Sequence, residues 1–367
     1  MKNQTGGVHW LTAVKLGGVL IATCIGSGFA TGAEFLQFFN VYGVKGAVGA
    51  LIVSCTLFIL FSVELFDAGQ RLPAEKRTSL FTTYFGKVAG TILDWYCALF
   101  VGGCYFIMLT GAGATMHEYM GWKPMWGSIL MAVLCVSTIL LGLRKLTNVI
   151  GTLGPILILA TIIIGLNALF KMTGSLSTAD SLIPEMGFLK AGPNWFISGI
   201  CYGCACMQIL IPVLPSVGAT AQNRKTAVMG AVFGCVAYHL ALACLIFAIF
   251  GNLPLIRGLQ VPNIALAGLL GPGVSSAFVI MIMAAIYTSA CPMMYSFCAK
   301  IFKDECSPRF KIGVCAFTIA SLAASYFFTL DVLINFVYSI SGYICTAILI
   351  GMFVSKYLAR RQNQTRS

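Results

Sequence analysis

Long apolar runs alternate with short polar or basic stretches from about Trp10 to Leu358. A helix of about 20 apolar residues crosses the ~30 Å hydrocarbon layer of a bilayer. The pattern predicts an all-α membrane protein with ten spanning helices, segments 1 to 10. They are Leu11–Phe39, Val44–Phe66, Val88–Gly113, Met125–Leu143, Val149–Phe170, Trp195–Leu214, Ala227–Phe250, Ser275–Phe302, Ile312–Phe328 and Val332–Leu358. The first run is too long for a signal-peptide core, so the N-terminus is read as retained. The whole chain, 1–367, reads as a single transmembrane domain.

Segment 1 breaks its own pattern. The stretch CIGSGFATGAEFLQFF, Cys24 to Phe39, sets three glycines, a serine, a threonine and a glutamate inside an apolar run. An interrupted helix in lipid is tolerated only where the break lines a cavity or is buried in protein. The carbonyl end of Leu11–Cys24 suits a cation, and the N–H end of Phe29–Phe39 suits a carboxylate. The break, Ile25, Gly26, Ser27, Gly28 and Phe29, is therefore the first candidate for substrate binding. The competing reading is that Gly28 and Gly32 only permit close helix packing.

Ten helices divide five and five. An odd number per half makes any repeat an inverted one, with halves 8–170 and 194–358. Segment 6, FISGICYGCACMQILIP, is the counterpart of segment 1 and is expected to break near Tyr202-Gly203. Tyr202, Gly203 and Cys204 are then candidates to line the substrate pocket, with Gln208 completing a polar lining. Between segments 7 and 8, Val261–Leu270 reads as a short helix bracketed by Pro and Gly, either a lid or an ordered loop.

Composition agrees with a membrane protein: 59% of residues are hydrophobic, 9% are charged and mean hydropathy is +0.91. The net charge of +12 does not imply nucleic acid. With the N-terminus inside, 18 Lys and Arg fall on the inner side and 5 on the outer. That bias orients the chain with both termini cytoplasmic. The 15 cysteines lie mostly within apolar runs, unlike a disulfide framework. Cys201, Cys204 and Cys206 have no matching histidine cluster and read as small packing residues rather than zinc ligands. No GK[ST] phosphate loop is present, and no Ser-His-Asp or HExxH pattern. No nucleotide partner and no enzymatic activity are expected.

Glu34 is an intramembrane carboxylate and by default a functional candidate, for proton coupling or gating. It could instead face a wet vestibule. Asp67 and Arg71 are spaced to pair along one helix, and Glu64, Asp67 and Asp94 read as interfacial salt-bridge formers.

The run IGSGFATGAEFLQFFNVYG closely resembles the first-helix signature of the YkvI-like bacterial membrane proteins. These lie in the wider amino acid–polyamine–organocation superfamily, whose members resemble LeuT-fold carriers with broken helices 1 and 6. Segment 8 adds a second match, AAIYTSACPMMYSF, because sodium-coupled carriers of that fold place a Thr-Ser pair there. The resemblance implies a sodium site from the Ala22, Ile25 and Ala285 carbonyls and the Thr288 and Ser289 hydroxyls. The alternative is that both hydroxyls bond back to their own helix. It also implies a helix 3 tyrosine on the substrate carboxylate, Tyr105, with Tyr96 and Phe106 as alternatives. Some proton-coupled relatives use a helix 5 lysine. Segment 5 has none inside the membrane, Lys145 lying at its rim. The usual outer arginine is missing from the segment 1 stub, although Asp331 begins segment 10.

The expected function is sodium-coupled uptake of an amino acid or similar small zwitterion by alternating access. Segments 1, 2, 6 and 7 would rock against 3, 4, 8 and 9. No cofactor other than the coupling ion is expected; the partners are the small solute and the bilayer. The alternatives are a proton-coupled carrier using Glu34 and an amino-acid sensor of the germinant-receptor type.

Overall fold

The computed structural model describes residues 7–24, 26–141, 146–302, 304 and 307–364. All regular structure among them is helical. In chain order the elements are α1 (Trp10–Cys24), α2 (Ser27–Thr31), α3 (Ala33–Phe38), α4 (Gly43–Arg71), α5 (Ala74–Thr78) and α6 (Leu80–Met120). They continue as α7 (Pro124–Leu141), α8 (Leu146–Phe170), α9 (Leu176–Leu182), α10 (Trp195–Leu210), α11 (Leu214–Gly218) and α12 (Arg224–Phe250). The last are α13 (Leu253–Ile256), α14 (Pro262–Gly268), α15 (Pro272–Ile301), α16 (Pro308–Phe327) and α17 (Leu330–Gln364).

Seven helical stretches are long and apolar enough to cross a membrane. Three further apolar helices are shorter: Trp10–Cys24, Leu159–Phe170 and Trp195–Leu210. The chain is a multi-pass membrane protein. Its apolar residues face outward as freely as inward; Leu240, Ile280 and Ile319 are all more than two-thirds exposed. In water such a surface would aggregate, whereas against lipid tails it carries no penalty.

Helix starts follow local chemistry. The side chains of Asn194, Asn223 and Ser307 accept from Ile197, Thr226 and Phe310 N–H, and Pro308 sits in the first turn of α16. The basic connector after α4 is itself helical, as α5 and the first turns of α6. The non-helical Gly86 (φ 76°, ψ 177°) then turns α6 into its apolar run.

The packing falls into two groups. In one, α1 and α10 lie on α12 and α4 respectively, and α12 lies on α4. In the other, α6 collects α7, α15 and α16. Two helices bridge the groups: α17 touches α10 and α6, and α8 touches α12 and α15. Small residues allow the closest approaches. A Cβ on Gly234 would lie 2.8 Å from the Gly17 Cα, and one on Gly199 would lie 2.7 Å from the Ala50 carbonyl oxygen.

The expected break at Gly26 is present in segment 1, with a second one after it, whereas segment 6 does not break where its glycines suggest. Segment 1 breaks twice: Gly26 is extended (φ −108°, ψ −161°) before α2, and Gly32 is left-handed (φ 80°) between α2 and α3. The expected single stub Phe29–Phe39 is thus two short helices. Segment 6 runs as unbroken helix through Tyr202-Gly203 and ends at Leu210, before the turn that holds Pro212 and leads into α11. Proline lacks the N–H that would continue the ladder. Gly199 and Gly203 instead admit the α4 backbone, a Cβ on Gly203 lying 3.3 Å from Ser54.

Candidate functional site

The break between α1 and α2 opens onto a cavity of about 40 Å³ in the middle of the molecule. Thr23, Cys24, Gly26, Gly28 and Phe29 bring the break itself to its wall. Met108 of α6, Cys206 of α10, Ser289 and Met293 of α15 and Tyr338 of α17 close it. Both packing groups therefore contribute, and the cavity lies where they meet.

Glu34 is the charged residue of this wall. It is 4% exposed. Its carboxylate folds back along its own chain, so that a Cβ on Gly28 would collide with Oε2. Only glycine at 28 leaves that space. Glu34 Oε1 accepts from the Tyr202 hydroxyl (3.1 Å), which in turn lies 2.8 Å from the Tyr238 hydroxyl of α12. Phe29 packs edge-on to Phe35 and 5.5 Å from the Tyr238 ring; Phe38 lies between Tyr202 and Tyr338. A buried carboxylate thus sits within a shell of aromatic rings.

The second face of α3 meets a larger, more polar cavity of about 250 Å³. Ala33, Leu36 and Gln37 line it, with Gln260, Thr329 and Asp331 opposite. Gln37 donates to the Asp331 carbonyl (2.8 Å) and accepts from Asn335 (3.1 Å). One six-residue helix, α3, separates the two spaces.

The candidates named from sequence are distributed as follows. Gly26, Gly28 and Phe29 line the small cavity. Ile25 and Lys145 lie outside the described residues, as does the side chain of Ser27. Ser289 reaches the break, its Oγ 3.9 Å from where a Gly26 Cβ would be. The Thr288 hydroxyl donates to the Ala285 carbonyl one turn back (3.0 Å), which leaves its lone pairs free. Ala22 is exposed. The Tyr105 hydroxyl turns away to Thr318 of α16 (3.5 Å), with its ring on Phe317, and Met108 one turn on takes the cavity wall. Tyr202 is buried and reaches Glu34, while Gly203 faces α4 and Cys204 is buried away from the wall that Cys206 forms. Gln208 bonds to Ser341 of α17.

Asn263 had no sequence signal beyond its place in a Pro- and Gly-bracketed loop. Its α14 is buried rather than lying over the surface. The Asn263 amide donates to the Phe29 and Ala30 carbonyls (3.1 and 3.0 Å), two of the acceptors that the end of α2 leaves open.

At the end of the molecule that holds residue 7 and the last turns of α17, Glu64 and Asp67 form a network wider than one helix. Asp67 takes Arg71 (2.9 Å), Arg224 of α12 (2.5 Å) and Lys356 of α17 (3.1 Å). Glu64 takes Arg71 (2.9 Å), Tyr84 of α6 (2.6 Å) and Lys356. The predicted Asp67–Arg71 pair is present, and Asp94 pairs with Lys300.

No protein-family model matches the chain. The uncharacterized membrane protein YkvI of Bacillus subtilis (strain 168) is 23% identical over 356 residues, which are 96% of this chain and 98% of YkvI. Among solved structures, Mhp1 in its inward-facing conformation superposes with a TM-score of 0.66 at 15% identity, over 95% of this chain and 77% of Mhp1. A Na+-coupled sialic acid symporter gives 0.60 at 15% identity, over 93% of this chain and 79% of its own. MhsT in complex with L-phenylalanine gives 0.55 at 15% identity, over 93% and 88%. The chain shares its fold with these proteins. The resemblance first read from one apolar segment holds along the chain: it is a relative of YkvI with the LeuT-type transporter fold.

Proposed function

We propose that the protein is a secondary active transporter that moves a small amino-bearing solute, of the amino acid kind, together with sodium. In this reading α1 with α2, α4, α10 and α12 form a mobile group that rocks against α6, α7, α15 and α16. The seven long helices and the three shorter apolar ones make ten spans, arranged as two inverted halves. The 18-to-5 Lys and Arg bias supports a cytoplasmic position for both termini.

The observation that carries the sodium reading is the position of the Ser289 hydroxyl against the break at Gly26, on two elements 263 residues apart along the chain. A monovalent cation bound there would draw on hydroxyl and carbonyl oxygens, from Ser289, Thr288, Ala285, Ala22 and Ile25, without a carboxylate. Such a set suits sodium better than a divalent ion, which recruits carboxylates. Binding would tie the mobile group to the scaffold. A second reading is proton coupling through Glu34, favoured by its place on the cavity wall in a chain of tyrosine hydroxyls.

The test is solute uptake into proteoliposomes with sodium or potassium gradients at equal ionic strength. Sodium-driven accumulation that is lost in the Thr288→Ala/Ser289→Ala double variant is expected. Uptake that ignores sodium and follows the proton gradient, and that Glu34→Gln abolishes, would hand coupling to the proton. Unaltered sodium dependence in the double variant removes the proposed site.

A further inference from the structure

Resting on the carrier reading, we infer that the solute group recognised in the small cavity is an ammonium held by the Glu34 carboxylate, so that the substrates are small organic amines for which a carboxylate is dispensable. The cavity wall carries a carboxylate but no Lys, Arg or His. The only side chain bonded to that carboxylate among the described residues is a neutral phenol, Tyr202, on Oε1. Oε2 accepts no hydrogen bond from a described residue, and Glu34 lines the cavity. A buried ionised carboxylate is costly unless a cation meets it, and the described protein supplies none. An ammonium on the solute would meet that need at the Oε2 side of Glu34.

The rest of the wall fits that ligand. Phe29, Tyr338, Met108 and Met293 also line the cavity, and aromatic rings and thioethers are polarizable groups that can favour an ammonium. A carboxylate in the same space would face Glu34 with no base to offset the repulsion. A free amino acid would have to place its carboxylate elsewhere.

The larger cavity beyond α3 repeats the pattern. Asp331 is its charged lining residue, and its other polar linings are Gln37, Gln260 and Thr329. Lys190 and Arg257 are chain neighbours of lining residues, yet neither lines it. Two spaces that both touch this one short helix thus each present a carboxylate and no base. Such a route concentrates cations and excludes anions.

The experiment compares matched trios: ethylamine, L-alanine and propionate; and phenethylamine, L-phenylalanine and 3-phenylpropanoate. Binding to purified protein in lipid nanodiscs is measured by calorimetry in sodium, for wild type, Glu34→Gln and Glu34→Asp. The expected result is amine binding at least as tight as that of the matching amino acid, with no binding of either acid. Glu34→Gln should weaken the amine by about tenfold or more, since a charged hydrogen bond is lost, and Glu34→Asp should restore part of it. An unliganded melting temperature matching wild type certifies that the Gln variant folds. Undiminished amine binding in Glu34→Gln overturns the inference, because a neutral Glu34 would be mimicked by Gln. Acid binding, or no amine binding at millimolar concentration, also overturns it. The carrier reading fails separately, if a probe that binds never accumulates in sealed proteoliposomes.

Discussion

Gly28 and Glu34 define each other's geometry, and the pair gives the most local test of the site. In Gly28→Ala the new methyl meets the far end of a flexible side chain, so the protein should fold while the carboxylate swings off the cavity wall. Ethylamine binding should weaken with little change in melting temperature, as paired calorimetry and thermal unfolding would show. Gly32→Ala should behave in the opposite way. There the residue must hold φ 80° and would meet Asn263 Oδ1 at 2.6 Å, so a loss of about 2 kcal/mol of stability is expected from chemical unfolding. Much of this was legible as residue identity. A glutamate six positions after a Gly-Ser-Gly break announces itself because intramembrane carboxylates are rare. Its direction was not legible, since a helical stub would have carried it outward. Gly32 turns the chain, and Glu34 comes back toward Gly28. Tyr105 illustrates the converse: an aromatic at the right depth gives no clue to which of two helices it faces.

Whole elements were easier to read than their interruptions. Apolar run length is a sum over many residues and tolerates local error, so most spans emerge within about five residues of the observed helices, while α6 extends seven or eight residues past its apolar run at each end. A break depends on one φ angle or one missing N–H. Gly203 looked like a break and is a contact surface for α4; Pro212 makes the real end of α10. The charged network likewise exceeded its sequence signature. The spacing of Asp67 and Arg71 predicts one pair, but no local rule joins α4 to Arg224 and Lys356 far along the chain. Replacing Lys356 by Met removes a partner from two carboxylates that are 3% and 1% exposed. The expected cost is about 2 kcal/mol, and it is concentrated locally. Hydrogen exchange should speed up in the last turns of α4 and α17, with α7 and α16 unchanged. Uniform acceleration over all helices would instead mean a global loss of stability.

For the molecule as a whole, the helix grouping matters more than any single bond. Two packed groups meet at one small cavity, with α8 and α17 as bridges. The charge bias read along the chain makes one global prediction: tags fused to both ends should be protected in intact spheroplasts and cleaved in inside-out vesicles. A tag cleaved in intact spheroplasts would reverse the orientation. The Asn263 amide holds two α2 carbonyls from α14, which packs mainly on α15 and α8. Parting α2 from α14 therefore breaks both bonds in one event, in a dry setting where each is worth about 4–6 kcal/mol before any replacement forms. The consequence is one of tempo. If that separation limits turnover, transport should be slow and steeply dependent on temperature. An Arrhenius plot for Asn263→Ala should then be shallower than that of the wild type.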